Sequence, residues 1–265
     1  MDIKLIVTDM DGTFLHSDMS YNKNLFKELY NKMKDRGIRF VVASSNQYYQ
    51  LKSFFGDIQD EITYVCENGA LIFDKKENIF KAELPKKTVK EITDFLSKNE
   101  NIKTCVCGLK SAYILRGQAE SKKVFPRFFH RLEECDSFDE IDDDIVKLSL
   151  FISEGDQNAI EENIKKEIGH LITPVTSGNM FIDLIIPGCN KGAAIRRLCE
   201  MWDISLDKCM AFGDSCNDLE MLQSVKYGYA MENADDRVKK IASYNTLSNN
   251  EDGVLNVINK LFEER

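Results

Sequence analysis

Asp9-Met10-Asp11-Gly12-Thr13 follows directly on the apolar run Ile3-Lys4-Leu5-Ile6-Val7, and the rest of the chain is read outward from it. A short β-branched run this near the N-terminus has the composition of a buried parallel strand. Two carboxylates two residues apart just past its end project from the strand tip, where open α/β sheets bind ligands. Gly12 supplies the turn. An ordinary acidic turn leaving a strand has the same four residues, so their meaning rests on what lies downstream.

Downstream, strand and helix alternate. Leu25, Phe26, Leu29, Tyr30 and Met33 recur at helical spacing, and Gly37 stands where a helix would stop. Residues 38–43 read as a second buried strand that ends in Ser44-Ser45-Asn46-Gln47, and a helix is expected through 51–55. A third strand over 63–66 ends in Glu67-Asn68-Gly69, and 70–73 with 79–84 flank a polar turn like a hairpin. Between about Pro85 and Pro187 the pattern changes to an α+β module: helices from Thr88, near 124–132 and over 156–168, and strands over 102–108, 111–116, 146–152 and 180–186. The acidic run from Glu133-Glu134 to Asp142-Asp143-Asp144 reads as a solvated loop. The first pattern then resumes with a helix opening at Lys191-Gly192 and a strand over 209–212. That strand is followed by Gly213-Asp214-Ser215-Cys216-Asn217-Asp218, and further elements are expected over 227–231, 233–242 and 253–262.

The 265 residues suffice for a core domain carrying an inserted one. The expected division is a core of 1–84 and 188–265 around an insertion of 85–187. A net charge of −9 argues against nucleic acid, whose binders need a basic face, and leaves a small anionic substrate open. No apolar run approaches the roughly 20 residues that span a bilayer, and the N-terminus carries Asp2 and no signal-like stretch. The expectation is a cytoplasmic protein with no membrane and no nucleic-acid partner. Its eight cysteines lack zinc spacing or a compact disulfide framework, which fits free thiols in a reducing compartment.

Asp9, Asp11, Ser44, Lys191, Asp214, Asn217 and Asp218 all fall at strand ends or a helix opening, where a parallel sheet gathers them. Several carboxylates with one lysine suit a hard divalent cation together with a phosphate. Mg²⁺ keeps most of its waters and binds through one or two carboxylates plus substrate phosphate. A lysine offsets the charge of a carboxylate nucleophile facing a phosphoryl group, and a serine hydroxyl can hold a phosphate oxygen.

These motifs resemble the haloacid dehalogenase superfamily of phosphatases, through Asp9-Met10-Asp11-Gly12-Thr13, Ser44, Lys191 and Gly213-Asp214-Ser215-Cys216-Asn217-Asp218. The insertion resembles the large cap of the Cof-type branch. Within that branch the run 46–55 and Thr176-Ser177-Gly178 with Phe181-Ile182-Asp183-Leu184-Ile185-Ile186-Pro187 are similar to bacterial sugar phosphatases. The resemblance implies an α/β fold with a Rossmann-like parallel-sheet core and a large inserted α+β cap domain. It implies a phosphoric monoester hydrolase acting on a small phosphorylated metabolite, a sugar phosphate, with Mg²⁺. Asp9 would form an aspartyl phosphate, and Asp11 would protonate the leaving oxygen and then activate water. The metal would be held by the Asp9 carboxylate, the Asp11 backbone carbonyl and Asp214, with Asp218 supporting. Ser44, Ser45, Lys191 and Asn217 would grip the phosphate. Arg116, Lys147, Thr176, Ser177 and Gly178 are the expected sugar-selecting residues. The family usually has Gly, often followed by Arg, after the residue matching Ser44, whereas this chain has Ser45-Asn46. A phosphosugar mutase shares the aspartyl phosphate, and a non-enzymatic phospho-aspartate switch shares the carboxylates, hydroxyl and lysine. An inserted lid and a second carboxylate beside Asp9 favour the hydrolase over the switch.

Overall fold

The computed structural model of the protein describes residues 2–176 and 180–263. They form two compact units, the first comprising the chain up to 44 with 61–65 and the segment from 190 onward, the second 45–60 and 66–189. The strands are, in chain order, β1 (Leu5–Thr8), β2 (Arg39–Ala43), β3 (Thr63–Cys66), β4 (Leu71–Asp74), β5 (Glu77–Lys81), β6 (Ile102–Gly108), β7 (Ala112–Leu115), β8 (Leu132–Cys135), β9 (Ile145–Ile152), β10 (Thr173–Thr176), β11 (Phe181–Ile185), β12 (Cys209–Gly213), β13 (Tyr227–Ala230) and β14 (Tyr244–Asn245).

In the first unit the strands pair in parallel in the order β14-β13-β12-β1-β2-β3. Strand β1 therefore lies at the point where the order reverses, with β2 and β3 on one side and β12 to β14 on the other. Leu5, Ile6 and Val7 are fully buried, as a strand with neighbours on both edges and both faces must be. The register pairs Thr8 with both Phe212 and Val42. In parallel strands that alignment carries Asp9, Gly213 and Ala43 to one level, so the residues after β1, β2 and β12 emerge together at the carboxyl edge. The helix Lys23–Asp35 begins where the Asn22 side chain accepts from the Leu25 N–H, and it buries Phe26, Leu29, Tyr30 and Met33. Phe26 packs there against Phe14 and Phe40, at centroid distances of 5.1 and 5.0 Å. The helix Lys191–Trp202 is capped by Asn190, whose side chain accepts from the Ala193 N–H at 2.7 Å.

The second unit holds the hairpin β4–β5 and a six-stranded sheet of order β10-β11-β9-β6-β7-β8, antiparallel except for β7 with β8. Alternation sorts its central strands into two faces. Val106, Leu148, Leu150, Ile182 and Leu184 join Val89, Ile92 and Leu96 of the helix Lys86–Leu96 and Ile164 and Ile168 of the helix Gln157–Ile168 in one apolar core. Cys105, Cys107, Lys147, Ser149 and Asp183 alternate with these apolar positions.

The helix expected near 124–132 is instead a short helix, Ala119–Val124, a single turn Phe125–Arg127 and strand β8. Pro126 lacks the N–H that a continuing helix needs, and β8 finds its backbone partners on β7. Part of the acidic run is thereby strand rather than loop. Asp143 in the same run is buried, accepting from the Lys110 and Ser111 N–H groups and the Tyr113 hydroxyl. Whereas the sequence places a division at 84/85, residues 45–60 and 66–84 cluster with the insertion, and named bonds account for it. Gln47 donates to the Arg131 carbonyl and accepts from the Arg131 N–H, both at 2.9 Å, and the Arg131 guanidinium lies 3.6 Å from the centre of the Tyr49 ring. The Leu84 N–H donates to Ile145 at 2.7 Å. Among the described residues no helix is long and apolar enough to cross a membrane.

A methyl group at Gly192 would stand 2.6 Å from the Glu220 carbonyl carbon and oxygen, because the helix Lys191–Trp202 packs its first turn against the helix Leu219–Ser224. Gly192→Ala is therefore expected to destabilise the protein by about 1–3 kcal/mol, the usual range for overpacking. Denaturant unfolding checks this, and a midpoint equal to that of the unsubstituted protein would refute the close approach.

Candidate active site

The level set by β1, β2 and β12 collects the acidic residues around one buried lysine. Lys191, 1 % exposed, donates from Nζ to Asp9 Oδ1 at 2.6 Å and to Asp218 Oδ1 at 2.7 Å. The other oxygen of Asp218 accepts from the Asp214 and Ser215 N–H groups, each at 3.0 Å. Asp218 thus accepts from three protein donors and fixes both the lysine and the loop after β12. Thr13 donates from Oγ1 to Asp214 Oδ1 at 2.8 Å, tying the loop after β1 to the loop after β12. Asn233 reaches the same place by donating from Nδ2 to the Gly12 carbonyl at 2.7 Å. Gly12, at φ +75°, leaves no room for a side chain, since a Cβ there would stand 2.5 Å from Asp214 Oδ2. Gly213 is equally constrained, by the Asp218 side chain.

Asp9, Asp214 and Asp218 each offer an oxygen within 4.8 Å of the others. Three carboxylates against one ammonium leave the cluster with excess negative charge. Burial accordingly pushes the Asp9 carboxyl well above the usual range, with Lys191 working against that shift. Burial, followed by the Asp218 charge, pushes Asp214 up to about 7. Lys191 moves up as well, since Asp218 and Asp9 outweigh the burial that would neutralise it. A protonated lysine and buried carboxylates in excess are the donor set that a hard divalent cation fits, because it supplies the missing positive charge and binds oxygen.

Ser44, buried, directly follows β2 at the same edge, and its N–H donates to Val65 at 2.9 Å. Asn217 lies in the turn Cys216–Asp218 beside the fixed carboxylate. Asp11 is half-buried in the loop after β1, where its backbone bridges to Leu15. Ser45 lies outside the left-handed region of backbone conformations, so glycine is not required there to reach its φ.

The five residues expected to select the sugar do not form one group. Lys147 is buried, pairing with Glu67 at 2.8 Å and Asp183 at 3.4 Å and donating to the Ser45 carbonyl at 2.6 Å. Arg116 is exposed and bonds to Asp136 at 2.7 Å. It follows β7, whose register lifts it several residues along the sheet from Lys147, which pairs with Cys107. Thr176 donates to Glu161 at 2.6 Å. Ser177 and Gly178 lie outside the described residues. Sequence reasoning gave no role to Thr13, Glu67, Asn68 and Asp183. The available signal was a charged residue inside an otherwise apolar strand, Lys147 in β9 and Asp183 in β11.

Residues 6–258 match the family model of haloacid dehalogenase-like hydrolases. The chain belongs to that family. YbjI of Escherichia coli K12, a 5-amino-6-(5-phospho-D-ribitylamino)uracil phosphatase, is 41 % identical over 99 % of this chain and 97 % of its own. YitU of Bacillus subtilis, which carries the same description, is 24 % identical over 97 % of both chains. The crystal structure of SMU.1108c from Streptococcus mutans superposes with a TM-score of 0.93 at 37 % identity, covering 99 % of this chain and 100 % of that one. The α/β fold and the Cof-type resemblance hold. The phosphatase reading holds at family level, whereas a sugar phosphate does not follow from these relatives.

Replacing Lys191 by Met would leave Asp9 and Asp218 buried without their cation. Breaking one side of such an arrangement costs about 3–5 kcal/mol, so Lys191→Met is expected to lower the unfolding free energy by roughly that amount. Calorimetric unfolding of the metal-free protein is the measurement, and an unchanged Tm would remove Lys191 from the centre of the site.

Proposed function

We propose that this haloacid dehalogenase-like hydrolase is a Mg²⁺-dependent phosphatase that removes the phosphate from a terminal carbon of a small sugar or sugar alcohol through an aspartyl phosphate. The observation that carries the reading is Lys191 Nζ bridging Asp9 and Asp218 beside Asp214 at the carboxyl edge of the parallel sheet. Asp9 attacks phosphorus: a bond forms from its carboxylate oxygen while the bond to the leaving oxygen breaks, and Asp11 delivers a proton to that oxygen. Asp11 then takes a proton from water, which attacks the acyl phosphate and frees Asp9. Lys191 keeps Asp9 in place and offsets charge gathering on the phosphoryl oxygens, and Ser44, the Ser45 backbone and Asn217 orient them. A magnesium ion held by Asp9, the Asp11 carbonyl and Asp214 would supply the remaining charge neutralisation. Substrate choice falls to the second unit, residues 45–60 and 66–189.

The ribityl phosphate on which YbjI acts is a sugar-alcohol phosphate of this class. The panel that tests the proposal therefore contains it beside hexose and pentose phosphates, with released phosphate as the readout. Excess chelator is expected to abolish turnover. Millimolar Mg²⁺ is expected to raise the Tm of the native protein and to have little effect on Asp214→Asn. Equal stabilisation of the two would place the ion elsewhere.

Asp11→Asn keeps the backbone carbonyl and removes the proton donor. General acid catalysis is worth on the order of 10²–10⁴-fold, all of it needed by a sugar alkoxide and little of it by p-nitrophenolate. The variant should accordingly depress kcat/KM far more for the sugar or sugar-alcohol phosphate than for p-nitrophenyl phosphate, kcat/KM being read because it reports steps through the first irreversible one. An equal drop for both, with weaker Mg²⁺ binding, would assign Asp11 to the metal alone.

A further inference from the structure

Lys147 is 2 % exposed, in a strand whose neighbouring residues Val146 and Leu148 are fully buried. Its ammonium donates to the Ser45 carbonyl at 2.6 Å and forms ion pairs with Glu67 Oε2 at 2.8 Å and Asp183 Oδ2 at 3.4 Å. Register explains why the charges meet. Asp183 pairs with Ser149 and Ile185 with Lys147, so Lys147 and Asp183 are diagonal neighbours on one face of the sheet.

The backbone that supplies Glu67 is itself held in an uncommon shape. Glu67, Asn68 and Gly69 are consecutive left-handed residues, at φ 50°, 56° and 96°, and the first two are buried side chains for which that region is unfavourable. Three bonds hold the turn: the Glu67 N–H to the Asn46 carbonyl at 3.2 Å, the Ala70 N–H to the Glu67 carbonyl at 3.2 Å, and Asn68 Nδ2 to Asp183 Oδ2 at 2.9 Å. The carbonyls of Ser45 and Asn46 are therefore both fixed, one by Lys147 and the other by the turn whose carboxylate holds Lys147. A side chain so enclosed cannot select a sugar by touching it, and buried charges are a poor route to stability when apolar residues of similar volume would serve.

We infer that Lys147, Glu67, Asn68 and Asp183 form a positioning strut that sets the orientation of the Ser45 peptide, and through it the phosphate-holding donors at Ser44 and Ser45. The inference rests on the phosphatase reading for the role of those donors. It assigns to Lys147 phosphate affinity common to all substrates, in place of discrimination among sugars.

The test uses the full chain and inorganic phosphate as the probe. Lys147→Met alone strands two buried carboxylates and is open to failure at the folding step. The second variant, Lys147→Met with Glu67→Gln and Asp183→Asn, removes all three charges together. In the folded triple variant, calorimetric titration with phosphate in the presence of Mg²⁺ should give a Kd raised roughly tenfold or more, as expected when orienting groups lose their fixed geometry. The Kd for Mg²⁺ should stay within about twofold, because its ligands lie elsewhere, and KM for every phosphate ester should rise by a similar factor. An unchanged phosphate Kd in the folded triple variant overturns the strut, as does a loss of Mg²⁺ affinity equal to the loss of phosphate affinity. A native protein that binds phosphate yet releases none from any ester sinks the phosphatase reading while the phosphate titration still decides the strut. One that binds no phosphate overturns both.

Discussion

Lys191, enclosed between Asp9 and Asp218 at 2.6 and 2.7 Å, is the contact on which the rest of the site depends. A buried ammonium is tolerated only where carboxylates return what water would have given it, and each buried carboxylate needs the ammonium for the same reason. The three side chains come from the end of β1, the start of the helix Lys191–Trp202 and the turn after β12, so satisfying one lysine orders three separate segments. Asp218 extends the constraint by accepting from two backbone N–H groups, which shapes the loop carrying Asp214. The remaining excess of negative charge is what a divalent cation of the proposed kind would neutralise.

The surrounding backbone is shaped to permit that concentration of charge. Gly12 and Gly213 stand where any side chain would collide with Asp214 or Asp218, and Gly192 lets the lysine-bearing helix approach its neighbour. Thr13 and Asn233 add hydrogen bonds that hold the loop after β1. The sheet register and three glycines thus hold these donors and acceptors in fixed positions.

The second unit repeats the chemical theme with a different result. Lys147 also sits between two buried carboxylates, but its hydrogen bond goes to a backbone carbonyl, so that the charge cluster holds main chain. The lysine that the sequence suggests as a sugar-selecting residue is thus buried among partners of its own. Residue type and spacing show that a charge lies in an apolar strand, whereas its burial and partners depend on register with β11 and on the left-handed turn at Glu67-Asn68.

Local pattern was enough for the core of the first unit. The apolar runs before Asp9, Ser44 and Asp214 specify buried strands because only strands with neighbours on both faces can be continuously apolar, and the carboxylates then fall at strand ends by counting. Lys191 at a helix opening was legible in the same way, from Lys191-Gly192 after the inserted segment. Other features required the folded chain. The helix expected near 124–132 is interrupted at Pro126, and pairing with β7 makes 132–135 a strand, an outcome that local pattern alone does not show. The grouping of 45–60 and 66–84 with the insertion follows from Gln47 and Arg131, 84 residues apart, exchanging two hydrogen bonds. Sequence thus determined which polar groups stand at the strand ends and the helix opening, because type and position there are local properties. Tertiary structure decided which charges are buried and what they hold, because burial and pairing are properties of contacts between distant segments.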